Sequence, residues 1–159
     1  LGNVPYLGEL EVGEIEWEKY MTDPSEAETF VRETKIDALA VAIGNAHGFF
    51  KERIEPDIER LKIINKNCNI PLILHGSSDW EEERVKKVIQ HGIACFNVDT
   101  AIRVAFINNL INACTGACSN GHGSSSISFD IRKLLGSARE AVKDVVKKKI
   151  NIFGSSGKA

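Results

Sequence analysis

No stretch of this sequence strings together the ~20 apolar residues that a membrane-spanning helix needs, and no signal-peptide pattern is present. Net charge is nearly absent too: the formal value is -2 and the pI about 6.1. That balance argues against a surface built for nucleic acid or anionic lipid. Cysteine is scarce, with four residues scattered at 68, 95, 114 and 118 of 159. They are too sparse for a disulfide framework in a chain of this length, so reduced thiols in a cytoplasmic protein are the expectation. An initiating Met is also missing. The first residue is Leu1, which leads to the expectation of a chain processed, truncated or cut from something longer.

What is present is ordinary globular material, 43% hydrophobic and 26% charged. Residues 3–21 show no sustained period and read as a long mobile loop with room for one short element. Thr22-Asp23-Pro24 opens a helix to about Thr34, with Thr22 or Asp23 as N-cap and Pro24 at the first helical position. Leu39–Ile43, Ile70–Leu74 and Ile93–Val98 are short apolar runs, which read as strands buried on both faces of a parallel sheet. Between them Asp57–Asn65 and Glu81–Gln90 carry helical spacing, and Thr100 opens a long helix to about Ala113. A Ser/Gly-rich loop covers 115–128, and Asp130–Lys149 is a final helix with a basic last turn. Strand and helix therefore alternate three times, the order of a parallel α/β sheet. A closed (β/α)8 barrel takes about 250 residues, so this chain reads as one portion, 1–159, from the C-terminal half of a TIM barrel.

Each predicted strand ends in residues with chemistry. These are Gly44-Asn45-Ala46-His47-Gly48, His75-Gly76-Ser77-Ser78 and Asn97-Val98-Asp99-Thr100. C-terminal strand ends of such a sheet share one face, and that face holds active sites. His47 and His75, on neighbouring strands, can aim two imidazoles at one metal ion, and neutral imidazole suits zinc. Gly76 and Ser78 before one helix, and Thr100 at the start of the next, suit an anion such as phosphate. Plainer readings stand beside these. The glycines serve tight turns, the Asn-Val-Asp-Thr run is only a helix cap, and each histidine is structural. Cys114, Cys118 and His122 are a weaker metal constellation, because their spacing fits no standard zinc pattern. Cys95 reads as a buried strand residue and His91 as serving a helix C-terminus.

The residues also carry a resemblance. Thr22-Asp23-Pro24, the segment 37–48 (DALAVAIGNAHG), the segment 70–79 (IPLILHGSSD), Gly92-Ile93 through Asn97-Val98-Asp99-Thr100, and Ala138-Arg139-Glu140-Ala141 through Gly154-Ser155 resemble the class II (zinc-dependent) ketose-bisphosphate aldolases, in order and over nearly the whole chain. Leu1-Gly2 looks like the end of a family segment reading Glu-Leu-Gly.

The resemblance implies reversible cleavage of fructose 1,6-bisphosphate to dihydroxyacetone phosphate and glyceraldehyde 3-phosphate, with tagatose 1,6-bisphosphate as the alternative ketose. His47 and His75 match zinc ligands, and Gly48, Gly76, Ser78 and Thr100 match phosphate-binding positions. Lys51 matches a position that assists the phosphate, and Asn97 the asparagine that contacts the reacting end of the substrate. Asp99 leans toward fructose-preferring members, whereas Ser77-Ser78-Asp79 is similar to the tagatose branch. The resemblance further implies Zn2+, an auxiliary monovalent cation, phosphorylated ketose and triose substrates, and a homo-oligomeric whole protein. The absence of lysine from the three strand runs fits a metal route better than a Schiff base. The family's acid/base aspartate and its neighbouring histidine have no counterpart among these residues. This leads to the expectation of an inactive isolated chain, and leaves a non-catalytic half-barrel that binds phosphate or a partner subunit as a competing reading.

Overall fold

The computed structural model describes residues 1–5, 16–48, 54–115 and 130–158. Within them the chain divides into two compact units, Leu1–Val98 and Asp99–Ala159.

The first unit is a three-stranded parallel sheet with flanking helices, a half-barrel-like α/β arrangement. Its strands are β1 (Leu39–Val41), β2 (Leu72–Leu74) and β3 (Ile93–Phe96), side by side in chain order. Its helices are α1 (Pro24–Thr34), α2 (Ile58–Cys68) and α3 (Glu82–Ile89). Helix α1 starts where it does because Asp23, not Thr22, supplies the cap: its Oδ1 accepts from the N–H groups of Ser25 and Glu26 at 2.8 and 2.9 Å. Thr22 is buried instead in the unit's interior, where its hydroxyl accepts from Ala42 N at 2.8 Å and donates to the Leu1 carbonyl. Helix α2 overruns its expected end at Asn65 and stops at Cys68, where Asn69 turns left-handed (φ 50).

The strands are shorter than the apolar runs that encode them. Pro71 cannot donate to a ladder, so β2 begins at Leu72, while the Pro71 carbonyl still accepts from Leu39 N at 3.0 Å. Nor are they buried on both faces. Leu39, Val41, Leu72, Leu74 and Ile93 are buried together with Ala27, Leu61, Ile64, Val85 and Val88 from the helices. The opposite row, Ala40, Ile73 and Cys95 in mutual register, runs from half-buried to exposed. Cys95 is thus exposed, contrary to the expectation of a buried thiol. The cause is an irregularity in β3: Leu72 pairs with Ile93 but Ile73 pairs with Cys95, so Ala94 is an extra residue that shifts the alternation. Among the described cysteines Cys68 is the buried one, and burial pushes its thiol pKa up.

The region 3–21 is only partly described. Trp17–Lys19 form one 3-10 turn, the short element for which the sequence left room, and Thr22 N donates to Ala42 O at 2.8 Å. Nearly all of the Ser/Gly-rich stretch lies outside the described residues.

The second unit is a helix pair, α4 (Thr100–Thr115) and α5 (Ile131–Ile152). Helix α5 passes its expected end at Lys149 and stops at Phe153, followed by Gly154 at φ 69. The helices are tied by Ser137 Oγ donating to Asn109 Oδ1 at 2.8 Å. An open apolar groove of about 460 Å³ lies among Ile102, Phe106, Ile107 and Val142, edged by Arg103 and Arg139. Helix α4 has no single apolar face and no buried residue, and Ile107, Ile111, Leu135 and Ile150 are exposed. No described helix is long and apolar enough to cross a membrane.

One stability test belongs to this fold. The hydrogen bonds from Ser25 and Glu26 hold the Asp23 carboxyl below the usual carboxylate range. A depressed folded-state value stabilises the protein above the unfolded value, and that contribution disappears as pH falls through the folded one. Asp23→Ala is therefore expected to lower the melting temperature at neutral pH, with the gap to the parent chain closing in acid. Thermal unfolding at pH 7 and pH 3 checks this; an equal gap at both would remove the carboxylate from the account.

Candidate active site at the strand ends

Five buried residues, Ala42 to Ala46, carry the chain from β1 to His47. Gly44 (φ 96) allows the reversal, since a Cβ there would sit 2.8 Å from Ile54 Cδ1. Asn45, 1% exposed, locks the turn: its Oδ1 accepts from Ile43 N at 2.8 Å, and its Nδ2 donates to the His75 carbonyl at 3.0 Å. His47 N donates to Pro5 O at 3.0 Å.

His75 follows β2 directly, and Gly76 beside it takes a left-handed φ of 64. A Cβ on Gly76 would lie 2.4 Å from the Ala46 carbonyl oxygen, so the two histidine-bearing loops touch backbone to backbone. Ser77 and Ser78 are buried in the turn before α3. Ser78 thus lies before α3, in the turn that leads into the helix. The ladder continues one step past β3 as Asn97 N donates to Leu74 O at 2.9 Å. This places Asn97 beside His75, with Asn97 Nδ2 3.3 Å from His75 Nε2. The tautomer decides this contact: a ring that donates Nε2–H to the amide oxygen keeps the Nδ1 lone pair for a metal ion, whereas an amide N–H donated to Nε2 leaves the proton on Nδ1. Cys95 Sγ reaches Asn97 Oδ1 at 3.8 Å on the same row.

The rings of His47 and His75 stand edge to face, centroids 6.0 Å apart and planes at 73°. Two imidazoles sharing one tetrahedral zinc at ~2.0–2.1 Å per nitrogen have centroids roughly 5 Å apart. About 1 Å of approach closes the pair, so these residues fit a shared ion as two of its ligands. Among the described residues no group of three or more His, Cys, Asp or Glu gathers at one point.

The structure brings together His47, His75, Gly76 and Asn97, and Gly48 and Ser78 belong to the same unit. Asp99 and Thr100 open the second unit, where Asp99 Oδ2 pairs with Arg103 at 2.8 Å and Thr100 is the first residue of α4. Lys51, Cys118 and His122 lie outside the described residues. Cys114 is exposed on α4, and His91 donates its N–H to Val88 O at 3.1 Å past the end of α3, as its position predicts. Asn45 is the residue that sequence reasoning passed over. An asparagine directly after a strand-ending glycine is the available signal, because its side chain readily caps a turn.

Parallel strands whose C-terminal ends carry two histidines and an asparagine define an α/β protein with its candidate site at that end of the sheet. The profile of the class-II fructose-bisphosphate aldolases matches residues 3–158, and the chain belongs to that family. It is 40% identical over 139 residues to a sulfofructosephosphate aldolase of Alkalicoccus urumqiensis, covering 87% of this chain and 46% of that protein. Among solved structures it is similar to the YdjI aldolase of Escherichia coli K12, at 33% identity and a TM-score of 0.72 over 88% of this chain and 46% of that one. A putative fructose-1,6-bisphosphate aldolase of Coccidioides immitis superposes with a TM-score of 0.73 at 29% identity, over 99% of this chain and 51% of that one. The chain therefore spans about half the length of the relatives it matches.

Proposed function

We propose that this chain is the C-terminal, metal- and phosphate-binding portion of a zinc-dependent aldolase that cleaves a phosphorylated ketose. The observation that carries the reading is the edge-to-face pair of His47 and His75 with Asn97 beside it. A zinc ion held there would supply a Lewis acid that polarises the substrate carbonyl. The residues of this chain do the positioning. His47 and His75 hold the ion, and Asn97 orients the His75 ring and faces the reacting end of the three-carbon unit. The peptides around Gly48 and Gly76, with Ser78, receive its phosphate, assisted by Lys51 and an auxiliary monovalent cation; the family position that Thr100 matches is also a phosphate-binding one. Asp99 bears on the choice of ketose, with fructose 1,6-bisphosphate preferred over tagatose 1,6-bisphosphate. The 40% relationship to a sulfofructosephosphate aldolase adds a sulfofructose phosphate to the substrates worth testing. No proton transfer is assigned to these residues, so the reading makes the 159-residue chain alone a binder. In the whole protein, a homo-oligomer with the apolar faces of α4 and α5 covered is part of the same reading.

The test is calorimetry of the zinc-loaded chain with dihydroxyacetone phosphate, alongside a triose-phosphate release assay on the three ketoses. Zinc-dependent binding without turnover is expected from the chain alone, and turnover once a segment supplying an aspartate–histidine pair is joined to it. Absence of triose-phosphate binding would overturn the site, and turnover by the isolated chain would overturn its assignment as a binder.

A further inference from the structure

We propose that Asn45 is a positioning residue that sets the spacing of the two histidines, an inference that rests on the reading of His47 and His75 as a metal pair. A buried amide needs partners for both of its ends. Asn45 divides its two between the loops that matter: the oxygen takes Ile43 N within its own turn, and the nitrogen reaches thirty residues along the chain to the carbonyl of His75 itself. Asn45 lies two residues before His47, so one side chain joins the backbone of both histidine loops. Gly76 resting on the Ala46 carbonyl fixes the same separation from the other side by contact. The donor bond keeps the loops from parting, and the missing Cβ keeps them from being forced apart. Partners one shell out from a metal typically contribute about 10–100-fold to its affinity.

The alternative is that Asn45 only caps the turn at Gly44. Serine separates the two roles, because its hydroxyl can still accept from Ile43 N but is too short to reach His75. Asn45→Ser and Asn45→Ala are compared with the parent 159-residue chain in two measurements. One is titration with Co2+, read by its visible absorption band. The other is amide hydrogen exchange of the metal-free chain over residues 75–78. Both variants are expected to bind Co2+ about 10–100-fold more weakly, with an altered band and faster exchange at 75–78. The serine variant, which keeps the turn, guards against simple misfolding of the alanine one. An Asn45→Ser chain matching the parent in affinity and exchange overturns the proposal. Should His47→Ala and His75→Ala leave Co2+ binding unchanged while Asn45→Ser still speeds exchange, the metal-pair reading falls and the strut between the loops stands.

Discussion

A His75→Ala chain is expected to bind zinc more weakly by well over the roughly 10–100-fold that loss of a supporting partner costs. Two imidazoles are already fewer than the about three protein ligands of a catalytic zinc, and removing one leaves no pair. The His75 ring is half-buried and the fold does not rest on it, so the melting temperature without metal should barely move. His47→Ala is expected to behave alike, and His91→Ala, at the far end of α3, to titrate as the parent does. Zinc competition against a chromogenic chelator measures all three. Unchanged affinity in His75→Ala would remove the metal site from this pair of strand ends.

Gly76→Ala is the second large effect, and it acts on the fold first. Its φ of 64 costs any L-residue roughly 1–2 kcal/mol. The added Cβ would also stand 2.4 Å from the Ala46 carbonyl oxygen, a backbone atom that cannot swing aside. Overpacking of this kind adds about 1–3 kcal/mol, so a total loss of about 2–5 kcal/mol is expected. Denaturant unfolding of Gly76→Ala and of a control, Gly136→Ala, reads it out. Gly136 lies within α5 with open space around its Cβ position, and alanine there should stabilise the helix. If Gly76→Ala unfolds at the parent's midpoint, the two loops do not touch as described.

Much of this was legible in the sequence, for identifiable reasons. Apolar runs of about five residues, too short for helices and bounded by glycine or proline between helical patterns, point to strands of a parallel sheet. Asp23-Pro24 announces a helix start, and histidines followed by glycine mark the ends of β1 and β2 as the place to look for a site. Strand limits and faces were less legible. Pro71 trims β2 through a missing N–H, and the exposure of Cys95 follows from a register shift that depends on two strands at once. Asn45 was missed because its partner, the His75 carbonyl, is a backbone atom thirty residues away, and pairing of that kind leaves no periodic trace.

The extra residue in β3 has a consequence for the parity of the strand. Side chains alternate by twos, so a single inserted residue exchanges the faces for everything after it. Ile93 lies on the buried face, and counting on without interruption would send residue 97 to that same side, away from His75. Because Ala94 takes no partner on β2, Cys95 and Asn97 change sides, and Asn97 comes to rest against His75. A methyl side chain with no chemistry of its own thus decides which way the asparagine looks. Deleting Ala94 would leave every named site residue in the sequence and still turn one of them out of the site.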